Sequence, residues 1–325
     1  MKAIRVHHAG GPEVLQIEEL PRPLPRPGWV LIRVKAFGLN RSELYTRQGF
    51  SPTVQFPRIL GIECVGTVEE APETDFVPGQ TVAALMGEMG RAYDGGYAEY
   101  TLVPAQQVIA LNTHLSWETL AALPETFLTA WGSLDAMQIE SGQTLLLRGA
   151  TSALGLAALA LAREKGVHVI ATTRSPAKSA VLQHNGAEQV VIDTGQIAAQ
   201  VREIVAGGVN GVLELVGVTT LRDSLEAVAP RGTVCNSGIL GNSWTLDHFE
   251  PLVDIPSSVK LTVYTSDGIT RASASAALQH IVEGIEQKHY DPHIDRIFPF
   301  EQIVEAHRYM EENRATGKLV VSVDL

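Results

Sequence analysis

Thr144-Leu145-Leu146-Leu147-Arg148 is a short apolar run that passes into Gly149-Ala150-Thr151-Ser152-Ala153-Leu154-Gly155, and then into the alanine-rich Leu156-Ala157-Ala158-Leu159-Ala160-Leu161-Ala162. A buried strand, a turn of small residues and a helix in that order predict an α/β fold with a parallel sheet, because a parallel strand needs a crossover helix to bring the chain back. The same turn lets backbone N–H groups and a helix N-terminus approach a pyrophosphate. Strict G-x-G-x-x-G spacing ending at Gly155 would place glycines at 150 and 152, where the chain has Ala150 and Ser152. The order of elements therefore carries more weight than the letters. The alternative is an ordinary strand-to-helix loop whose small residues serve close packing.

The alternation continues on both sides of this passage. Short β-branched or aliphatic runs at 144–147, 167–172, 189–192, 211–216 and 233–236 are separated by segments of helical length such as 153–165 and 177–185. A further strand is expected at 260–265, helices at 272–287 and 302–313, and a closing strand at 318–323. The first hundred or so residues read differently. Val30, Ile32 and Val34 alternate with Arg33 and Lys35, the period of a half-buried strand, and short strands are expected at 61–68, 81–85 and 97–103. The proline-rich 21–28 between them is an extended connector. At 325 residues two domains are expected: a mainly-β domain over 1–117, a doubly wound domain over 118–265, and a return to the first domain over 266–325.

Composition removes several function classes. The net charge of −11 repels phosphate backbones and anionic lipid, which speaks against nucleic-acid and membrane partners and requires a local basic site for any anionic ligand. Two cysteines, Cys64 and Cys235, cannot build a disulfide framework or a four-cysteine zinc site. No apolar stretch approaches the roughly 20 residues of a membrane span, and the N-terminus has no apolar signal core. A reducing, cytoplasmic location is expected.

Cofactor choice is readable at the end of the second strand of the alternating half. An NAD site usually carries an Asp or Glu there. This chain has Thr172-Thr173-Arg174-Ser175-Pro176-Ala177-Lys178, so nothing repels a 2′-phosphate, Arg174 and Lys178 supply charge, and Thr173 and Ser175 supply hydroxyls. NADPH is the expected cofactor.

Three further runs carry a family resemblance: Asn40-Arg41-Ser42-Glu43-Leu44-Tyr45-Thr46-Arg47-Gln48-Gly49, the turn Pro78-Gly79-Gln80-Thr81-Val82, and Gly95-Gly96-Tyr97-Ala98-Glu99-Tyr100, with Thr129-Ala130-Trp131 following. In this order they resemble the medium-chain dehydrogenase/reductase superfamily, and within it the zinc-free NADPH:quinone oxidoreductases, over nearly the whole chain. The resemblance implies a GroES-like substrate domain and a Rossmann domain, with the active site in the cleft between them. It implies Asn40 and Tyr45 as catalytic residues, Asn40 orienting substrate or nicotinamide and Tyr45 donating to the reduced oxygen. It implies cofactor contacts from Thr129, the turn residues Ala150, Ser152, Ala153, Leu154 and Gly155, the Thr173, Arg174 and Lys178 group, Val216 and Gly217, the segment Ser237, Gly238, Ile239 and Leu240, and Lys318. Thr194 stands where the family commonly has a tyrosine stacked on adenine.

Zinc-dependent relatives carry a cysteine where this chain has Asn40, a histidine at Ile62 and a cysteine near Glu125, so a metal-free enzyme is expected. Without a Lewis acid an isolated ketone is hard to reduce, whereas a quinone or conjugated enone spreads its developing charge. Quinone reduction is the leading expectation, enone, alkenal or enoyl-thioester reduction the second, and an idle NADPH-binding protein, as the resemblance to zeta-crystallins allows, the third. By resemblance the strand at 260–265 would pair with its mate in a homodimer.

Overall fold

The computed structural model describes residues 1–323 and separates into two compact units, 1–128 with 266 onward and 129–265. The first boundary lies later than the expected 117/118. Residues 118–128 stay with the first unit because Glu125 N donates to Glu63 at 2.8 Å and Thr126 Oγ1 accepts from Lys318 at 2.8 Å.

In the first unit a seven-stranded sheet runs in the order Ile294–Pro299, Lys318–Ser322, Trp29–Leu39, Glu63–Glu70, Thr81–Leu85 and Val108–Ala110, with Tyr100–Pro104 also on Trp29–Leu39. All pairs are antiparallel except the first, Ile294–Pro299 on Lys318–Ser322. A smaller sheet has Lys2–Val6 between Leu15–Glu19 and Arg58–Ile59. The central strand departs from simple alternation: Leu31 and every residue from Ala36 to Leu39 are buried along with Val30, Ile32 and Val34. Its Phe37 stacks on Tyr97 with ring centroids 4.5 Å apart, beside the buried Phe298 and Phe300. Burial of each such ring contributes about 1.5–3 kcal/mol.

In the second unit six parallel strands lie in the order Gln189–Ile192, His168–Thr173, Thr144–Arg148, Val209–Glu214, Val228–Asn236 and Lys260–Val263. Numbered along the chain this is 3-2-1-4-5-6, the Rossmann arrangement, whose order reverses between Thr144–Arg148 and Val209–Glu214. The helix Ala153–Glu164 buries Gly155 through Ala162, the all-apolar stretch that the sequence marks. The core joins Leu146, Ile170, Val191, Val212 and Val234 from five strands. Lys260–Val263 forms an edge of the sheet, with Val263 63% exposed.

Candidate active site

In the first unit, Asn40 ends the central strand's run and caps the helix Arg41–Arg47. Asn-x-x-Glu is a capping-box spacing, and Glu43 closes the box by accepting from Asn40 N at 2.9 Å. The same carboxylate accepts from Ile62 N at 3.1 Å. Asn40 Nδ2 donates to Glu63 Oε1 at 2.9 Å and to Glu43 Oε1 at 3.4 Å, and Asn40 Oδ1 accepts from Lys318 Nζ at 2.6 Å. Lys318 also donates to Glu63 Oε1 at 2.7 Å and Thr126 Oγ1 at 2.8 Å. Glu43, Glu63 and Lys318 are each at most 1% exposed. Gly38 makes room for them: a Cβ there would sit 2.3 Å from Glu63 Oε1 and 2.5 Å from Lys318 Cε.

Two sequence expectations change here. An ammonium has three N–H donors, and all three of Lys318 are spent inside this cluster, so Lys318 has none left for a cofactor. Asn40 has both amide hydrogens on carboxylates, so it stiffens the helix start and has no N–H to offer a substrate. Sequence reading missed Glu43, Glu63 and Thr126. The capping-box spacing was the legible signal for Glu43, and a charge inside the apolar run 61–68 was the signal for Glu63. Burial pushes the Glu43 carboxyl up from 4.5 to about 7, with Glu63 adding to the rise and the Ile62 amide and Lys318 opposing it.

Tyr45 lies on the same helix, half-buried. Burial raises its phenol, while the Arg41 guanidinium, which donates to the phenol oxygen, pulls the other way. Arg41 is itself held by Asn313 Oδ1 at 2.5 Å. Arg41 thus offsets part of the acidity that burial takes from the phenol, which accepts from the cation and keeps its own hydrogen to give. Tyr45, with Arg41 behind it, is therefore the group on this helix equipped to protonate an oxygen.

In the second unit the turn after Arg148 closes on itself. Ser152 caps the helix, accepting from Gly155 N at 3.1 Å and donating to Gly149 O at 2.9 Å. Gly149 has φ +81°, a conformation glycine adopts without strain. Gly155 serves close packing, since a Cβ would lie 2.6 Å from Ala150 Cα. Ala150 is wholly buried and its N–H goes to Thr172 O at 3.2 Å. Of the five expected turn contacts, Ala150 and Gly155 thus shape the turn, while Ser152, Ala153 and Leu154 are partly accessible at a helix N-terminus.

The other expected contacts divide in the same way. Thr129 Oγ1 is buried and has no hydrogen-bond partner, a cost that a bound polar group would remove. Gly217, at φ +99°, lies against Gly238, where a Cβ would be 2.9 Å from Gly238 O. Leu240 N bonds Leu215 O at 3.0 Å, so Val216–Gly217 and the segment Ser237, Gly238, Ile239 and Leu240 pack together. Arg174 is exposed, and Lys178 is partly so. Thr173 Oγ1 is taken by Ser175 in a local turn, accepting from its N at 3.2 Å and donating to its O at 3.3 Å. This half has an orphaned donor, an N-terminal helix turn and a glycine cradle, and it fits a dinucleotide.

Two family models match the chain: an alcohol dehydrogenase GroES-like domain over residues 26–113 and a zinc-binding dehydrogenase over 185–321. The quinone oxidoreductase of Pongo abelii is 28% identical over 99% of this chain and 97% of its own length. Among solved structures, quinone oxidoreductase from Pseudomonas syringae is 26% identical with a TM-score of 0.89, covering 99% of both chains. A mycobacterial protein solved in complex with NADPH is 28% identical with a TM-score of 0.88, over 99% of this chain and all of that one. Among the described residues no donor set fits the zinc named in the matched family model. Ile62 offers no ligand atom, and among the described residues no group of three His, Cys, Asp or Glu side chains is placed to hold a metal.

Proposed function

Because the chain is a quinone-oxidoreductase-like oxidoreductase of the medium-chain dehydrogenase/reductase superfamily, we propose that it reduces quinones with NADPH and without zinc. When bound, the cofactor supplies a hydride from nicotinamide C4. Tyr45 supplies the proton: its O–H donates to the quinone oxygen on which charge develops, while Arg41 stabilises the phenolate left behind. Solvent restores that proton, so quinone, NADPH and one proton become hydroquinone and NADP⁺.

The observation that carries the metal-free reading is the fate of the three positions where zinc relatives have ligands. Asn40, Ile62 and Glu125 are all bonded through amide groups to the Glu43, Glu63 and Lys318 cluster. NADPH over NADH is supported by Arg174 and Lys178 and by the lack of a carboxylate at the end of His168–Thr173. The open edge of Lys260–Val263 supports a homodimer with the sheet continued across two copies; a monomer by light scattering at micromolar concentration would remove it. The buried thiols Cys64 and Cys235 suit a reducing cytoplasm.

The test is NADPH oxidation followed by absorbance, with ortho- and para-quinones and one enone as acceptors and NADH as control. Quinone turnover with NADPH preferred is the expected result. Turnover with the enone alone would replace the substrate class, and tight NADPH binding with no turnover would replace the enzyme reading with a binding role.

A further inference from the structure

Beneath the proposed cofactor loops runs a buried chain of charged and hydroxyl side chains that the reaction does not use. Arg148 ends the strand Thr144–Arg148 and is the register partner of Glu214, which ends Val209–Glu214. These strands flank the point where the strand order reverses, which is where doubly wound sheets bind their ligands. The Arg148 side chain is fully buried. Its Nε and Nη2 grip the two oxygens of Asp193 at 2.8 and 3.0 Å, and Nη2 also donates to Gly195 O at 3.0 Å. Its Nη1 donates to Asp223 Oδ2 at 2.7 Å, Ser224 Oγ at 3.0 Å and Thr220 O at 3.2 Å.

From this hub, bonds lead to two loops. On one side Asp193 Oδ2 accepts from Thr172 Oγ1 at 3.4 Å, and Thr172 Oγ1 accepts from Gly149 N at 3.1 Å, where the small-residue turn begins. On the other side Ser224 donates to Glu214 Oε2, and Glu214 Oε1 accepts the N–H groups of Val216 at 2.7 Å and Gly217 at 3.0 Å.

We propose that Arg148 is a positioning residue for the dinucleotide, tying the turn at Gly149 and the loop at Val216–Gly217 into one frame. The inference rests on reading those loops as cofactor loops. Stability alone does not account for such a hub, because well-packed apolar residues often serve a buried site as well as or better than an ion cluster. What the hub provides is preorganisation: both loops hold their shape before the ligand arrives, so binding orders less of the protein. Only a guanidinium has the fork to reach both sides at once, whereas an ammonium is a point.

The test separates the two arms with two probes, NADPH and adenosine 2′,5′-bisphosphate, which occupies the adenosine end alone. Thr172→Val cuts the arm to Gly149 and should weaken both probes by a similar factor. Ser224→Ala cuts the arm to Glu214 and should weaken NADPH while leaving the bisphosphate within about twofold. Arg148→Lys should weaken NADPH about tenfold, equivalent to about 1.4 kcal/mol, and the Thr172→Val/Ser224→Ala double variant should approach it. A purely structural role would lower Tm while leaving both affinities of the folded protein within about twofold of the parent. Folded Thr172→Val and Ser224→Ala proteins that bind both probes within about twofold of the parent would overturn the proposal, and they decide it even if Arg148→Lys does not fold. A parent that binds NADPH but reduces no quinone removes only the substrate reading; a parent that binds neither probe removes the cofactor reading and the positioning role with it.

Discussion

Each unit ties a buried cation into a cluster of carboxylates, Lys318 in the first and Arg148 in the second, and they do so differently. In the first, the Lys318 ammonium meets a carboxamide, a carboxylate and a hydroxyl within 2.8 Å of one nitrogen. In the second, the Arg148 guanidinium spreads its donors over Asp193, Asp223, Ser224 and two backbone carbonyls. A point charge locks one spot, here the start of the Arg41–Arg47 helix. A planar fork bridges several strands and holds their ends in register. In both places the excess carboxylate, Glu43 in one and Glu214 in the other, is pushed up by burial.

The comparison breaks most sharply at Lys318. Lys318→Met leaves Glu63 buried without its counter-charge and should cost about 3–5 kcal/mol in denaturant unfolding; adding Glu63→Gln should return part of it. If the single variant costs under about 1 kcal/mol, the ammonium is not what holds this cluster.

The next effect belongs to the first unit and is read through pH. Burial pushes the Glu43 carboxyl in the folded protein up from its ordinary 4.5 to about 7. The folded state then holds the extra proton, so stability falls as pH rises through that window, by a total on the order of 3 kcal/mol. His307, fully buried, is pushed down from 6.5 to about 3 by desolvation, with Arg47 adding to the shift. There the unfolded state holds the extra proton, so stability falls as pH drops from about 6.5 toward 3. Between about 4.5 and 6.5 the two slopes oppose each other. Unfolding free energy should be nearly flat there and decline on either side. Glu43→Gln should remove the decline above about pH 6.5 and leave the His307 slope unopposed between about 4.5 and 6.5, and a decline above 6.5 that survives in that variant would assign it to another group.

Smaller effects sharpen the reading of the second unit. Arg174→Ala should weaken NADPH about tenfold, about 1.4 kcal/mol, and NADH hardly at all; equal losses for both would take the 2′-phosphate away from Arg174. Ser152→Ala removes the cap of Ala153–Glu164 and should lower stability by about 1 kcal/mol, with no change expected in the first unit's pH profile.

Periodicity made the parallel sheet legible, because Leu145, Leu146 and Leu147 are buried on both faces and flanked by helix-length segments. It placed most strands within two or three residues. The strand expected from 97 begins at Tyr100, since the backbone at Tyr97 and Ala98 pairs instead with Ile4 and Ala3 of the smaller sheet. The charged hubs were not legible. A charge at the end of an apolar run, such as Arg148, looks like a surface residue until the strand order puts Glu214 beside it. Lys318 lies 255 positions from Glu63, a separation at which spacing carries no information. Composition also does not reveal that Asn40 has spent its amide hydrogens, because that depends on which carboxylates the fold gathers around it.

One feature of the first unit bears on how the protein is made. Its sheet is joined through Lys318–Ser322 on Trp29–Leu39, yet all of Thr129–Thr265 is translated between the two. At about 5–20 residues per second, the first 128 residues spend roughly 10–40 seconds without the strand that pairs with the far end of Trp29–Leu39, with Glu63 still waiting for its cation. The second unit is one uninterrupted stretch and can close as soon as it emerges. Nascent chains should therefore acquire their nucleotide fold first, and the interval before Lys318 arrives is when the unfinished β-rich half most needs protection by a chaperone.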